Sequence, residues 1–212
     1  MASQMLVTPK GSATWPKLWT PDVKFNAHGE YKIGLKIKED LAEDLTNEIT
    51  RQVDAVYASE LKKNPKLQGK MTKRLPFEQV LDDSGNETGL VEFKFKCKAL
   101  VQKKDGDTFT QKPAVYDSKG KPILEAIENM GNGSVCKVAF ETIPYLLAST
   151  KQASVSLRLK SVQILELREY SNESNPFSEE EGYQFEEDTS PFAEKTTAES
   201  ASDFSEEDDQ DF

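Results

Sequence analysis

The chain has 212 residues, 36% hydrophobic and 30% charged, with a formal net charge of −10, which suits one globular domain with an appendage. No apolar run approaches the length of a membrane span, and the start, MASQMLVTPK, lacks the basic and long apolar regions of a secretory signal. The charge is uneven: residues 1–170 carry 26 Lys and Arg against 22 Asp and Glu, a net +4, whereas residues 171–212 carry 1 against 15, a net −14.

Residues 5–25, MLVTPKGSATWPKLWTPDVKF, mix short apolar runs with Pro9, Pro16 and Pro21. Proline offers no ladder N–H, so this stretch is expected as edge strand and loop. In GEYKIGLKIK (29–38), Tyr31, Ile33, Leu35 and Ile37 alternate with Lys32, Gly34, Lys36 and Lys38, predicting a strand with one apolar and one basic face. Residues 40–63 change to a helical period through Leu41, Leu45, Ile49, Val53, Val56 and Leu61, with Asp40 as the expected N-cap. Asn64-Pro65 ends the helix, and a surface loop is expected through Lys73 and Arg74.

LVEFKFKCKALV (90–101) places Val91, Phe93, Phe95, Cys97, Ala99 and Val101 on one strand face and Glu92, Lys94, Lys96 and Lys98 on the other. KKDGDT supplies an Asp-Gly hairpin turn, from which residues 108–116 return as a strand. Val135–Ile143 and Ala153–Arg168 are the last two strands. In the latter, Val155, Leu157 and Leu159 share one parity and Val162 and Ile164 the other, which predicts a bulge near Ser161. Cys97 and Cys136, outside any CxxC, are expected as reduced buried thiols. The body therefore reads as mainly β, an OB-fold-like five-stranded Greek-key barrel with one interposed α-helix. An SH3-like barrel or an open α+β sheet fits the same pattern.

From Ser171 the periodicity stops, and the segment is too polar to bury enough apolar area for folding. It holds a weak repeat, NPFSEEE, SPFAEK, SDFSEED and a terminal QDF, each with Pro or Asp before Phe. These read as docking segments: acids suit a basic pocket on a partner, and Phe212 adds an apolar anchor.

Catalysis is not expected. His28, the sole histidine, lies in NAHGEY with no nucleophile signature; QGKMTK lacks the glycines of a P-loop; and GNGS is not a dinucleotide fingerprint. The same residues give no set of zinc ligands, and no metal or cofactor is expected. Lysines and aromatics remain. Lys94, Lys96 and Lys98 share one strand face, with Lys103, Lys104 and Lys112 near the hairpin. A solvated outer face explains such a row, but three like charges on one face are easier to justify when an anion sits there. Phosphates on a basic face and bases on aromatics are how OB-type folds hold single strands. The stacking candidates are Trp15, Trp19, Tyr116 and Tyr145, with Tyr31 assigned to the core by its parity.

In order and spacing, GEYKIGLKIK, EFKFKCKALVQKKDGDTF, VYDSKGKP, TIPY and DDQDF resemble the single-stranded DNA-binding proteins of short-tailed phages, from about Gly11 to Phe212. The resemblance implies an OB-fold domain over 1–170, a homodimer, and a disordered acidic tail over 171–212 that recruits replisome proteins, namely the phage DNA polymerase and primase-helicase. It also implies work in replication, recombination and repair in the cytoplasm of the infected bacterium. The family pattern maps onto His28, Lys96 and Tyr145. Leu147 stands where an aromatic is expected, and Ser3-Gln4 where Lys is usual.

The resulting DNA-binding candidates are Lys10, Trp15, Trp19, His28, Lys94, Lys96, Lys98, Lys112 and Tyr145. The partner-binding candidates are Asp208, Asp209, Asp211 and Phe212. Two other readings compete: an adaptor whose acidic tail mimics nucleic acid, and an RNA chaperone of the same fold.

Overall fold

The computed structural model describes residues 5–24, 26–103, 106–127 and 129–170. The acidic segment, with Asp208, Asp209, Asp211 and Phe212, lies outside the described residues.

Alternation builds the strands as expected. In β3 (Glu30–Lys38), Tyr31, Ile33, Leu35 and Ile37 are buried. In β6 (Glu87–Lys98), so are Val91, Phe93, Phe95 and Cys97. The two strands run antiparallel from Glu30↔Lys98 to Lys38↔Leu90, so their apolar parities meet inside and their lysines outside. The other strands are β1 (Met5–Val7), β2 (Gly11–Asp22), β4 (Thr72–Lys73), β5 (Phe77–Leu81), β7 (Leu100–Gln102), β8 (Thr108–Thr110), β9 (Ala114–Tyr116), β10 (Val135–Leu147) and β11 (Gln152–Glu166).

Pairing runs β10–β2–β3–β6–β11, and β11 pairs β10 again. Five strands thus close on themselves, with β6 and β11 parallel through Arg158↔Lys96 and the other neighbours antiparallel. This is the OB-type Greek-key barrel, and the two competing architectures fall away. Phe93, Phe95 and Phe140 fill the interior, with the Phe95 and Phe140 rings 4.9 Å apart. Helix α1 (Glu39–Lys63) follows β3 directly and packs against β10 and β11, burying Ala42, Leu45, Ile49 and Val53.

Several expectations need correction. β2 is an interior strand, paired to β10 and β3, rather than an edge. Its prolines are accommodated because the ladder to β3 shifts between Thr14 and Lys17 and again before Asp22. The helix starts at Glu39, with Lys38 at the cap position, so Asp40 sits in the first turn, where its charge favours the helix dipole. Leu41 is exposed and Ala42 is buried instead. The loop after the helix contains a 3-10 turn at Pro65–Leu67 and β4, which pairs with β11. The hairpin strand β5 was not legible: it pairs with β6 through a turn closed by Asp82, whose carboxylate accepts the N–H groups of Ser84 and Asn86 at 2.9 and 2.8 Å.

The predicted strand 108–116 divides at Pro113. β8 pairs with β7, while β9 runs parallel to β11. The strand expected over Val135–Ile143 does not stop there, because β10 continues through Pro144 and Tyr145, paired to β11 as far as Leu147↔Gln152. The bulge does occur: pairing passes from Ala139↔Ser161 to Phe140↔Leu159, leaving Lys160 without an opposite residue and reversing the parity that faces inward.

Candidate nucleic-acid interface

Register decides which lysines meet. On the outer face Lys17 of β2 pairs with Lys32 of β3, Lys32 with Lys96 of β6, and Lys96 with Arg158 of β11. Four cations therefore form one row across four strands. Like charges directly opposite destabilise a sheet, and this row is offset by carboxylates beside it. Asp22 meets Lys32 at 2.5 Å, Glu30 meets Lys96 at 3.2 Å, and Glu141 meets Arg158 at 4.0 Å and Lys160 at 3.6 Å. The hydrogen bond from Lys32, helped by the Lys24 backbone N–H, holds the Asp22 carboxyl below its usual range. Such exposed pairs contribute only about 0–1 kcal/mol each, so a phosphate can replace the carboxylates.

The expected row Lys94, Lys96 and Lys98 is present and exposed along β6. Its members differ: Lys94 lies 3.5 Å from Glu78 and 4.0 Å from Glu92, Lys96 belongs to the cross-strand row, and Lys98 pairs with Glu30 in the ladder. Lys98 is also brought near two distant candidates through Ala99. The Ala99 N–H donates to Gly29 at 2.9 Å, and its carbonyl accepts the N–H of Gln111 at 2.9 Å. His28 precedes that glycine and Lys112 follows that glutamine, and both are exposed. Gly29 has φ +72, a conformation that favours glycine, and a Cβ there would sit tightly against Pro21 and Ala99, 3.0 and 3.3 Å away. Beside this cluster the β7–β8 hairpin carries an exposed Phe109, with the Lys103 ammonium 6.0 Å from its ring. Lys104 lies outside the described residues.

Trp15 is the most exposed tryptophan position, 75% accessible, with a left-handed φ of +47. For a bulky residue that backbone costs about 1–2 kcal/mol. It lies where β2 leaves register with β3, adjacent to Lys17 of the cationic row. Trp19, by contrast, is half-buried against the core, which removes much of its stacking face. Lys10 is exposed just before β2, beyond Ser12↔Lys36, seven residues before Lys17 in the middle of that strand. Tyr145 is 37% exposed and lies four residues along β10 from Glu141, which pairs with Arg158, so it shares the outer parity but sits toward the β10–β11 hairpin tip. Tyr31 is buried as expected, and Tyr116 is half-buried against β11.

The structure thus gathers Trp15, Lys96 and, at the near edge, Lys98, His28 and Lys112, and sets Lys10 and Tyr145 apart from them. Sequence reading missed Lys17, Lys32 and Arg158 as members of the row, although Lys32 lies on a strand face read as basic. A parity count on β2 fails across its irregular register, and nothing local announces that β11 lies parallel to β6.

Cys97 and Cys136 are free and buried. Burial pushes both thiols up, Cys136 to about 12, which keeps them protonated. Among the described residues no helix is long and apolar enough to cross a membrane.

A Greek-key barrel with one helix and a cationic outer face defines the protein as an OB-type domain. Its family is that of the bacteriophage T7 single-stranded DNA-binding protein, to which the chain belongs: the family model matches residues 11–167. The chain is 34% identical to the single-stranded DNA-binding protein of Escherichia phage T7 over 168 residues, covering 74% of this chain and 72% of the relative. It is 36% identical to that of Enterobacteria phage T3 over 149 residues, covering 67% and 64%. Among solved structures it is similar to gp2.5, a single-stranded DNA-binding protein encoded by bacteriophage T7, with a TM-score of 0.68 and 28% identity over 87% of this chain and 100% of that one. The single-stranded DNA-binding protein of bacteriophage Enc34, solved in complex with single-stranded DNA, shares the fold at a TM-score of 0.52 and 12% identity, covering 78% and 88%.

Proposed function

We propose that this protein binds single-stranded DNA without sequence preference, with residues 1–170 as the binding domain. The observation that carries the reading is the row Lys17–Lys32–Lys96–Arg158, four cations in register on one barrel face beside an exposed indole. Phosphates lie along the row, displacing carboxylates such as Asp22 and Glu30, and bases stack on Trp15. Lys98, His28 and Lys112 extend the path past Ala99, with Lys94, Lys10 and Tyr145 as outlying contacts. Trp19 has the weakest claim.

In the same reading the protein is a non-enzymatic homodimer of phage replication, recombination and repair in the infected host cytoplasm. Residues 171–212 recruit the DNA polymerase and primase-helicase through Asp208, Asp209, Asp211 and Phe212. The relatives' organisms support the phage setting, and the split of charge between body and tail supports a docking role for residues 171–212.

The test is a titration of dT, rU and duplex oligomers at several salt concentrations. Tighter binding of dT than duplex is expected, with log K falling against log salt by about 0.7 per phosphate contact. A flat salt response or equal affinity for duplex would overturn the reading. A preference for rU would favour the RNA chaperone, and binding to partners but to no oligomer would favour the adaptor.

A further inference from the structure

The outward turn of Trp15 has a cause outside β2. As far as Ala13 the strand is laddered to the segment before β10: the Ala13 N–H donates to Ser134 at 2.8 Å, and the Gly133 N–H donates to Ala13 at 2.9 Å. The Trp15 N–H then donates to the side-chain Oδ1 of Asn132 at 2.6 Å. A side-chain acceptor takes the place of the next backbone rung. This lets β2 leave the ladder in a left-handed conformation without losing the hydrogen bond.

Asn132 is itself held. The Gly131 N–H donates to Arg168 at 2.7 Å, the Tyr170 N–H donates to Asn129 at 3.0 Å, and the Arg168 N–H donates to the buried Ser134 hydroxyl at 3.0 Å. A Cβ on Gly131 would lie 3.0 Å from the Arg168 carbonyl and the Tyr170 nitrogen, so this approach needs glycine.

Trp15 and Tyr170, the latter 55% exposed, line one open groove of about 640 Å3, with Lys17, Lys32, Asp22 and Glu169 on its walls. That volume is in the range of sites that hold a nucleotide-sized ligand. Lys24 is a third ammonium group on the wall, so three cations face two carboxylates and the lining keeps only a small net positive charge. The groove offers a flat neutral ring two aromatic surfaces, and Lys17 and Lys32 belong to the row that would carry the flanking phosphate.

We infer that this groove is a nucleobase slot, in which Trp15 is the stacking face, Tyr170 the second aromatic wall and Asn132 a positioning residue that holds Trp15 outward. The inference rests on the single-stranded DNA reading and adds a base-dependent component to it.

The test compares a dT oligomer with an abasic deoxyribose-phosphate oligomer of equal length, using the full chain. Wild type should favour dT by roughly tenfold, the lower part of the range for one stacked base. Indole fluorescence should be quenched by dT only. Trp15→Ala should remove most of the preference. Tyr170→Ala and Asn132→Ala should lower it, while each variant keeps the salt slope of wild type. Asn132→Asp keeps an acceptor for the Trp15 N–H. It should restore the dT-to-abasic ratio even if its added charge weakens both affinities equally.

A preference unchanged in Trp15→Ala and Asn132→Ala overturns the slot and leaves phosphate binding on the cationic row standing. An Asn132→Asp variant that behaves as Asn132→Ala overturns the positioning role. Failure of wild type to bind dT at all overturns both the slot and the reading beneath it.

Discussion

Replacing Lys17, Lys32 and Lys96 together by Ala is the sharpest test of the cationic row. The ladder places Lys17 opposite Lys32, Lys32 opposite Lys96 and Lys96 opposite Arg158, so the variant removes three like-charge pairs. It also removes the Lys32–Asp22 and Lys96–Glu30 ion pairs. Relief of each like-charge pair gains about 0.2–1 kcal/mol, and loss of each exposed ion pair costs about 0–1 kcal/mol. These terms largely offset each other, so the unfolding midpoint in urea should stay close to wild type or rise slightly. DNA binding should change much more. Three lost phosphate contacts lower the salt slope by about 2, which corresponds to roughly a hundredfold weaker binding at 0.1 M salt. Fluorescence anisotropy of a labelled dT oligomer across a salt series measures both quantities. The control removes Lys62, Lys63 and Lys66, three cations at and just beyond the end of α1, and should leave the slope alone. A folded triple variant with a wild-type slope would refute the assignment of phosphates to this row.

Other perturbations probe the frame and the tail. A Cβ at Gly34 would run into the Thr14 hydroxyl, so Gly34→Ala should cost about 1–3 kcal/mol in urea unfolding, with most of it recovered when Thr14→Ala is added. Burial raises the Cys136 thiol to about 12 in the folded state, so its contribution to stability is fully present below its ordinary value of 9.0 and is lost as pH rises through the interval between them. Thermal melts should therefore be insensitive to this group near neutrality and fall at alkaline pH, and less so in Cys136→Ala; an alkaline profile identical in the variant would contradict the assignment. Phe212→Ala keeps every acid of the tail. It should leave dT affinity near wild type while weakening polymerase or primase-helicase binding by about tenfold, measured by direct titration, and intact partner binding would show that the acids suffice.

How much of this was legible in the sequence depended on how local the determinant was. Tyr31–Ile37 and Val91–Cys97 announce their faces by strict alternation, and the parity switch between Leu159 and Val162 announces a bulge, because side-chain direction follows from spacing alone. β5 escaped notice because Phe77–Leu81 has no alternating apolar run: Phe77 and Val80 are half-buried and the remainder exposed. Its strand character comes from the neighbouring β6 and the Asp82 turn. The proline-rich β2 reads as an edge strand from its sequence because proline cannot donate to a ladder. The protein meets that constraint by shifting register around Pro16 and Pro21 while keeping β2 between β10 and β3.

The candidate site divides in the same way. Trp15 and the β6 lysines could be proposed from composition, but the property that makes them a site is registration across strands far apart in the chain. Arg158 becomes relevant only because β11 lies parallel to β6, a pairing set by barrel closure. Asn132 becomes relevant only because the GNGS turn, dismissed as a nucleotide fingerprint, abuts β2 where its backbone ladder stops. The glycines of that turn do serve close approach, but toward Arg168 and Tyr170 of the same chain rather than toward a phosphate. Residue type thus pointed to the chemistry of the face, while the positions that shape it for a single strand follow from closing five strands around Phe93, Phe95 and Phe140. A substitution that opened the barrel at β6–β11 would therefore remove Arg158 from the row without changing any charge.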